Sequence, residues 1–229
     1  MNLYLDYWVP TSNKPNAIMR VEEIEYAISS NLEQAWITRA MFLTQEAQAA
    51  KTFVAKLAPA LAEKVSIHSV ASRPTFQQFF DLANKNTNPT AVHVLLNNDV
   101  VLTESFSKLS TMLQTHDFFC ITRYILVEPC SQLWQLDPHK EYSQDVWSWQ
   151  GQNKITNANF EMGQIRCDQC LAYTAATAGY LVSNPALTLQ ARHMHMSNYR
   201  TYNKAGMLTL PGKLTTPTSL IKKERHERY

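Results

Sequence analysis

Glycine is scarce in this chain of 229 residues: five occur, and none precedes Gly151. A Walker loop and a Gly-x-Gly dinucleotide turn both need glycine at a strand-to-helix junction, so neither lies in the first 150 residues. Phosphate bound by that half must be held by side chains, ordinary backbone amides or a metal. Cysteine is also sparse, and four (Cys120, Cys130, Cys167, Cys170) are too few for a disulfide scaffold at this length. No apolar run approaches the ~20 residues of a membrane span. Asp6 interrupts the only hydrophobic stretch near the N-terminus, which argues against a signal peptide. A cytoplasmic enzyme without a transmembrane segment is expected.

A surplus of charge is missing too. The formal net is +2, and residues 213–229, with five basic and two acidic side chains, contribute +3 of it. Residues 1–212 therefore sum to −1, which excludes the basic face of a nucleic-acid binder. The expected organisation is one domain over 1–212 and a basic tail or linker over 213–229, with anionic lipid as the tail's possible surface contact.

What the chain does contain is alternation. Leu3–Val9 reads as a strand closed by Pro10, and Ile18, Val21, Ile24, Ala27 and Ile28 recur at helical spacing. A strand over Ala35–Leu43 precedes an Ala-rich helix capped by Thr44 and broken near Pro59. Val65–Val70 is the next strand, followed by a helix opened by Pro74, a strand over Ala91–Leu96 and a helix over Glu104–Leu113. This order predicts an α/β domain with a Rossmann-like N-terminal half. Strand-like pieces at Phe118–Val127 and Val146–Trp149, then a helix over Cys167–Ala178, make the second half a mixed continuation of the central sheet. Ligands of such sheets bind beyond the carboxyl ends of the strands, which directs attention to Asp6-Tyr7-Trp8, Arg73 and Asn97-Asn98-Asp99.

Asn97-Asn98-Asp99 suits a hard cation bridging a diphosphate, and equally a turn after a strand. In a strand, His193-Met194-His195 would present two imidazoles to one face, as metal ligands or as surface histidines. Cys167-Asp168-Gln169-Cys170 is a weak zinc or redox signal. Its Asp168, at a helix start, is expected to be held ionised by the helix dipole or simply to cap the helix. Gln144, Asp145 and Trp147 combine hydrogen-bonding groups with an aromatic face, which suits a sugar ring or a core strand.

Taken in order, several segments resemble small bacterial and viral GT-A-type glycosyltransferases. They are Leu3-Tyr-Leu-Asp-Tyr-Trp8, the helix leading to Asn31-Leu32, Arg73-Pro-Thr-Phe-Gln-Gln-Phe-Phe80, Asn97-Asn-Asp-Val100 and Ser143-Gln-Asp-Val-Trp147. Met162-Gly-Gln-Ile-Arg-Cys-Asp-Gln169, Gly179-Tyr-Leu-Val-Ser-Asn-Pro185 and His193-Met-His-Met-Ser-Asn-Tyr-Arg-Thr-Tyr202 complete the set. The resemblance implies a GT-A fold, with Asn97–Asp99 as the Asp-x-Asp metal motif and His193 or His195 completing the site. It implies Asp168 as catalytic base. Asn97 stands where the family has aspartate, and Arg166 where it has glycine.

The implied reaction moves a sugar from a nucleoside-diphosphate sugar to a hydroxyl acceptor, a glycan or similar, with inversion. Mn²⁺ or Mg²⁺ on Asp99 and His195 or His193 would offset leaving-group charge. Asp6, Tyr7, Arg73, Asn97, Asn98 and Asp99 would bind the donor, with Arg73 on phosphate or paired with a nearby acid. Asp168, or Asp145 in exchange, would deprotonate the acceptor, and Gln144 and Trp147 would hold sugar. Two rival readings are an inactive sugar-nucleotide- or glycan-binding module and a metal-dependent nucleotidyl- or phosphotransferase.

Overall fold

The structure, a computed structural model, describes residues 1–128, 132–197, 199 and 207–220. Four parallel strands form one half of the sheet: β1 (Asn2–Asp6), β2 (Arg39–Thr44), β3 (Val65–Ser69) and β4 (Val92–Leu96), in the order β3-β2-β1-β4. Between them run α1 (Pro15–Glu33), α2 (Ala47–Val54), α3 (Pro59–Ala62) and α4 (Phe76–Ala83). The expected α/β fold with a Rossmann-like first half is thus present. The helix expected after Thr44 is broken before Pro59 as anticipated: α2 ends at Val54, and Pro59 opens α3 at its first position.

The sheet continues through β5 (Val100–Leu102), β6 (Asp117–Leu126), β7 (Trp134–Leu136), β8 (Gln144–Gln150), β9 (Leu181–Ser183) and β10 (Ala191–His193). Its path runs β4-β8-β6-β10-β5, with β7 and β9 also paired to β6. β8 lies antiparallel to β4, so the parallel half ends there and the mixed half begins. The helix expected over Glu104–Leu113 is a 3₁₀ turn (Glu104–Lys108) running into α5 (Leu109–Met112), and α6 (Cys167–Thr177) closes the helical set.

Period-two alternation sorts the strands between two cores. Leu3, Leu5, Tyr7, Val94 and Leu96 pack with Ile24, Ile28 and Leu32 of α1 and Phe53 of α2. Tyr4, Leu95, Trp147 and Trp149 pack on the other face with Phe76, Phe79 and Phe80 of α4 and with Cys170 and Leu171 of α6. α4 begins with a capping box between Thr75 and Gln78, worth about 1 kcal/mol.

The apolar stripe expected on α1 holds at Ile24, Ala27 and Ile28 and departs in the first turns. Ile18 is 53% exposed, and the inward stripe is Ala17, Arg20, Glu23, Ile24, Ala27, Ile28 and Asn31. Three polar side chains face inward because each meets a built partner. Asn31, for one, donates to the Val100 carbonyl (2.7 Å) and accepts from the Leu102 amide (2.9 Å), fastening β5 to the helix.

β6 and β8 pair with a register shift: Ile121 faces Val146, but Thr122 faces Gln144. Asp145 is therefore the extra residue of a β-bulge, a feature that turns one side chain out of the regular alternation. Of the segment expected as a basic tail or linker, residues through 220 pack on the body. The Lys213, Thr215 and Thr218 amides donate to the Gln169, Glu141 and Asn184 carbonyls. Residues 221–229, which carry most of the basic charge, lie outside the described residues, as does Cys130. No helix among the described residues is long and apolar enough to cross a membrane.

Candidate functional site

The carboxyl ends of β1 and β4 and the end of β10 meet at one cavity. Its wall includes Asp6, Trp8, Arg20, Arg73, Asn97, Asn98, Asp99, Arg123, Met162, Gly163, His193, His195 and Tyr199. Seven residues expected at the site (Asp6, Arg73, Asn97, Asn98, Asp99, His193 and His195) are brought together there.

The β5–β10 pairing sets the centre. His193 pairs with Val100, and the Met194 amide donates to the Asp99 carbonyl (2.8 Å), so the imidazole arrives beside the Asp99 carboxylate. His193 Nε2 lies 3.0 Å from Asp99 Oδ2, and the His195 ring stacks on His193 with centroids 5.2 Å apart. One ligand atom from each of Asp99, His193 and His195 falls within 4.8 Å of the others. Burial opposes ionisation of Asp99, but His193 and Arg20 outweigh it and hold the carboxyl well below its ordinary value. Its Oδ1 is buried without a hydrogen-bond partner. One carboxylate and two imidazoles suit Mn²⁺ and similar ions, and an unpartnered carboxylate oxygen suits a cation ligand.

Arg20 is an unforeseen member. Its NH2 pairs with Asp99 Oδ2, while NH1 donates to the Met194 carbonyl (2.7 Å) and to Glu23 Oε2 (3.1 Å). Glu23 in turn accepts from the Ser197 amide (2.7 Å) and hydroxyl (2.8 Å). The Arg20–Glu23 pair thereby ties the histidine loop to α1. A charged pair one turn before the buried Ile24, Ala27 and Ile28 was the available signal.

At the cavity's second edge, Arg73 Nε lies 3.5 Å from Asp6 Oδ2, and Arg73 passes over Gly163. Burial pushes the Asp6 carboxyl up to about 7, with Arg73 offsetting part of the effect and Glu46 and Glu161 adding to it. Asn98 donates to the Trp8 carbonyl (2.8 Å), which fixes the loop after β1.

Arg123, also unforeseen, lines the cavity and pairs with Asp137 (2.7 Å) and Asp145 (3.2 Å). Asn97 donates to Asp145 Oδ1 (2.8 Å). Asp145 is therefore engaged by an arginine and an amide rather than presented to a sugar. Asp168 sits in the first turn of α6, where Cys167 Sγ donates to its Oδ1 at 3.1 Å. The helix dipole was expected to keep it ionised. Burial, reinforced by the Asp145 charge, instead raises it to about 7. Neither Asp145 nor Asp168 is part of the cavity wall.

Three further expectations are corrected. Tyr7 stacks between Phe42 and Phe53 in the core, and Trp8, with its ring 6.5 Å from that of Tyr199, supplies the aromatic wall instead. Trp147 is fully buried, edge-on to Phe76, so no sugar reaches its face. Gln144 is fully buried. Alternation along β8 explains the tryptophan: Trp147 and Trp149 share the face covered by α4 and α6.

Neither a known protein family nor a curated relative matches the sequence. Among solved structures, the inositol-1-phosphate CTP transferase from T. maritima superposes over 87% of this chain and 91% of its own, with a TM-score of 0.52 and 9% identity. At that identity it establishes a shared fold. HddC from Yersinia pseudotuberculosis covers 65% of this chain and 76% of its own at a TM-score of 0.38 and 6% identity, too distant to carry weight.

Proposed function

We propose that the chain is a metal-assisted transferase acting on a nucleotide-activated phosphate compound. The carrying observation is the Asp99–His193–His195 cluster in one cavity with Arg20, Arg73 and Arg123. The cluster fits a divalent cation, because Asp99 Oδ1 is buried and unpartnered. Bound there, Mn²⁺ or Mg²⁺ would supply Lewis-acid neutralisation of phosphate charge. Arg73 and Arg123 offer guanidinium forks to phosphate oxygens, and Trp8 with Tyr199 offers a stacking face to a base or sugar. The cavity holds about 100 Å³, below the ~300–1,000 Å³ of whole-ligand pockets. It therefore accommodates the charged centre of a ligand whose ends extend into the open cleft.

Within this class, the shared fold with a CTP transferase supports nucleotidyl transfer to a sugar or polyol phosphate. A phosphate nucleophile is already largely ionised at neutral pH, so this reaction needs no protein base. Glycosyl transfer to a hydroxyl is the second reading, and it is favoured by the two carboxyls held near 7, Asp6 and Asp168. Asp6 lines the cavity and would take the acceptor proton; Asp168 would do so only if the acceptor approached from the α6 side.

The test is incubation with Mn²⁺ and either nucleoside triphosphates plus sugar phosphates or nucleoside-diphosphate sugars plus hydroxyl acceptors, followed by mass spectrometry. Pyrophosphate release supports nucleotidyl transfer, and nucleoside diphosphate release supports glycosyl transfer. A folded protein that is stabilised thermally by none of these compounds refutes the class, because a ligand of the native state must raise the midpoint.

A further inference from the structure

We infer that Arg20 is the resident counter-ion of Asp99, and that it releases this carboxylate to a divalent cation when the phosphate of a ligand takes the guanidinium. The inference rests on the metal-site reading above and concerns a residue outside the expected cation ligands.

Both partners are inside the protein: Arg20 is 7% exposed and Asp99 4%. Their pairing occupies Oδ2, the oxygen that His193 also contacts, while Oδ1 has no partner. A cation coordinated by Asp99 and the two imidazoles would therefore stand beside a guanidinium already on the same carboxylate. A divalent cation and a guanidinium on one buried carboxylate repel strongly, because little solvent separates them. In the absence of ligand, the arginine holds the position.

The fork geometry shows how it can let go. NH1 is fastened to the Met194 carbonyl and Glu23, and NH2 alone contacts Asp99. A guanidinium is a planar fork whose nitrogens bind different acceptors at once. NH1 can keep its anchors while NH2 turns from Asp99 to an anion in the cavity that Arg20 lines. Phosphate then supplies the acceptor that Arg20 gives up, and Asp99 becomes available to the cation. Cation and phosphate ligand bind cooperatively, and the cation alone binds weakly.

The experiment measures Mn²⁺ binding, without nucleotide, from the electron paramagnetic resonance signal of the free ion. It compares the unaltered chain, Arg20→Gln and the double variant Arg20→Gln/Asp99→Asn. Arg20→Gln is expected to bind Mn²⁺ about ten- to a hundred-fold more tightly, the change corresponding to one charge-assisted hydrogen bond. The double variant is expected to lose that gain. The tightening should survive about 1 M salt, where the screening length falls to about 3 Å, because the competition is a contact and not a distant field. Arg20→Met, which keeps the side-chain bulk, replaces the glutamine variant if that variant fails to fold. Equal or weaker binding by the folded variant, or tightening that salt abolishes, overturns the inference and leaves the metal site standing. If Mn²⁺ binds neither folded protein at millimolar concentration, the metal-site reading fails and the inference falls with it.

Discussion

Replacing Gly163 by alanine probes the cavity edge where backbone, arginine and aspartate meet. Gly163 has φ +79°, and a Cβ there would lie 2.5 Å from Arg73 NH2 and 3.1 Å from its Cζ. Left-handed backbone costs an alanine about 1–2 kcal/mol. The steric conflict is relieved by moving the guanidinium, whose side chain is 42% exposed and free to swing outward. That movement lengthens the 3.5 Å contact with Asp6, an attraction worth about 1 kcal/mol or less at a half-open site. Asp6 then loses a group that favours its ionised form, and its midpoint climbs above its parent value of about 7. Urea unfolding at pH 7 should show a loss of about 1–3 kcal/mol. A ¹³C-detected pH titration of the Asp6 carboxyl should show the upward shift. If Gly163→Ala unfolds within ~0.5 kcal/mol of the parent and Asp6 titrates unchanged, the coupling of loop to carboxylate is wrong.

Asp6 is raised from 3.8 to about 7 in the folded chain, so the native state binds its proton more tightly than the unfolded state does. Its contribution to stability is present below pH 3.8 and is lost as pH rises towards 7, so Asp6→Asn should gain stability relative to the parent at pH 8 compared with pH 4. A constant difference across pH in thermal melts would contradict this. Arg166 adopts φ 74° and donates to the Leu208 and Leu210 carbonyls at 2.8 and 3.3 Å. Arg166→Ala keeps the backbone cost and loses both bonds, so denaturant melts should show Arg166→Gly more stable than Arg166→Ala by about 1 kcal/mol. Equal stabilities would show that the left-handed turn carries no cost. If the reaction consumes a hydroxyl, Asp6→Asn should lower kcat by about 10²–10⁴-fold. Asp168→Asn losing activity while Asp6→Asn keeps it would move the base to α6.

The parallel half was legible because β1 to β4 and the helices between them repeat long enough for periodicity to register. Asp6, Arg73 and Asn97–Asp99 followed from one rule about the carboxyl ends of such strands. What escaped has a common cause. The expected stripe of α1 holds at Ile24, Ala27 and Ile28, but Ile18 and Val21 hid the inward-facing Arg20 and Glu23, whose partners lie in residues 99 and 194–197. β5, β7, β9 and β10 have three residues each, too few for alternation to stand out. Trp147 was read as a sugar platform because sequence alone does not reveal that α4 covers its face.

The clamp between α1 and the histidine loop spans 174 residues of chain. At a ribosomal rate of about 5–20 residues per second, that distance corresponds to roughly 10–35 s of synthesis. Throughout this interval α1 carries Arg20 and Glu23 on the side destined for the interior, before Met194 and Ser197 have emerged to receive them. The helix can form early, but its docking waits for a segment made 174 residues later. Closing so long a loop is entropically slow, so the cavity is among the late features to assemble. A nascent chain halted before residue 193 would own most of the sheet and none of the histidine wall.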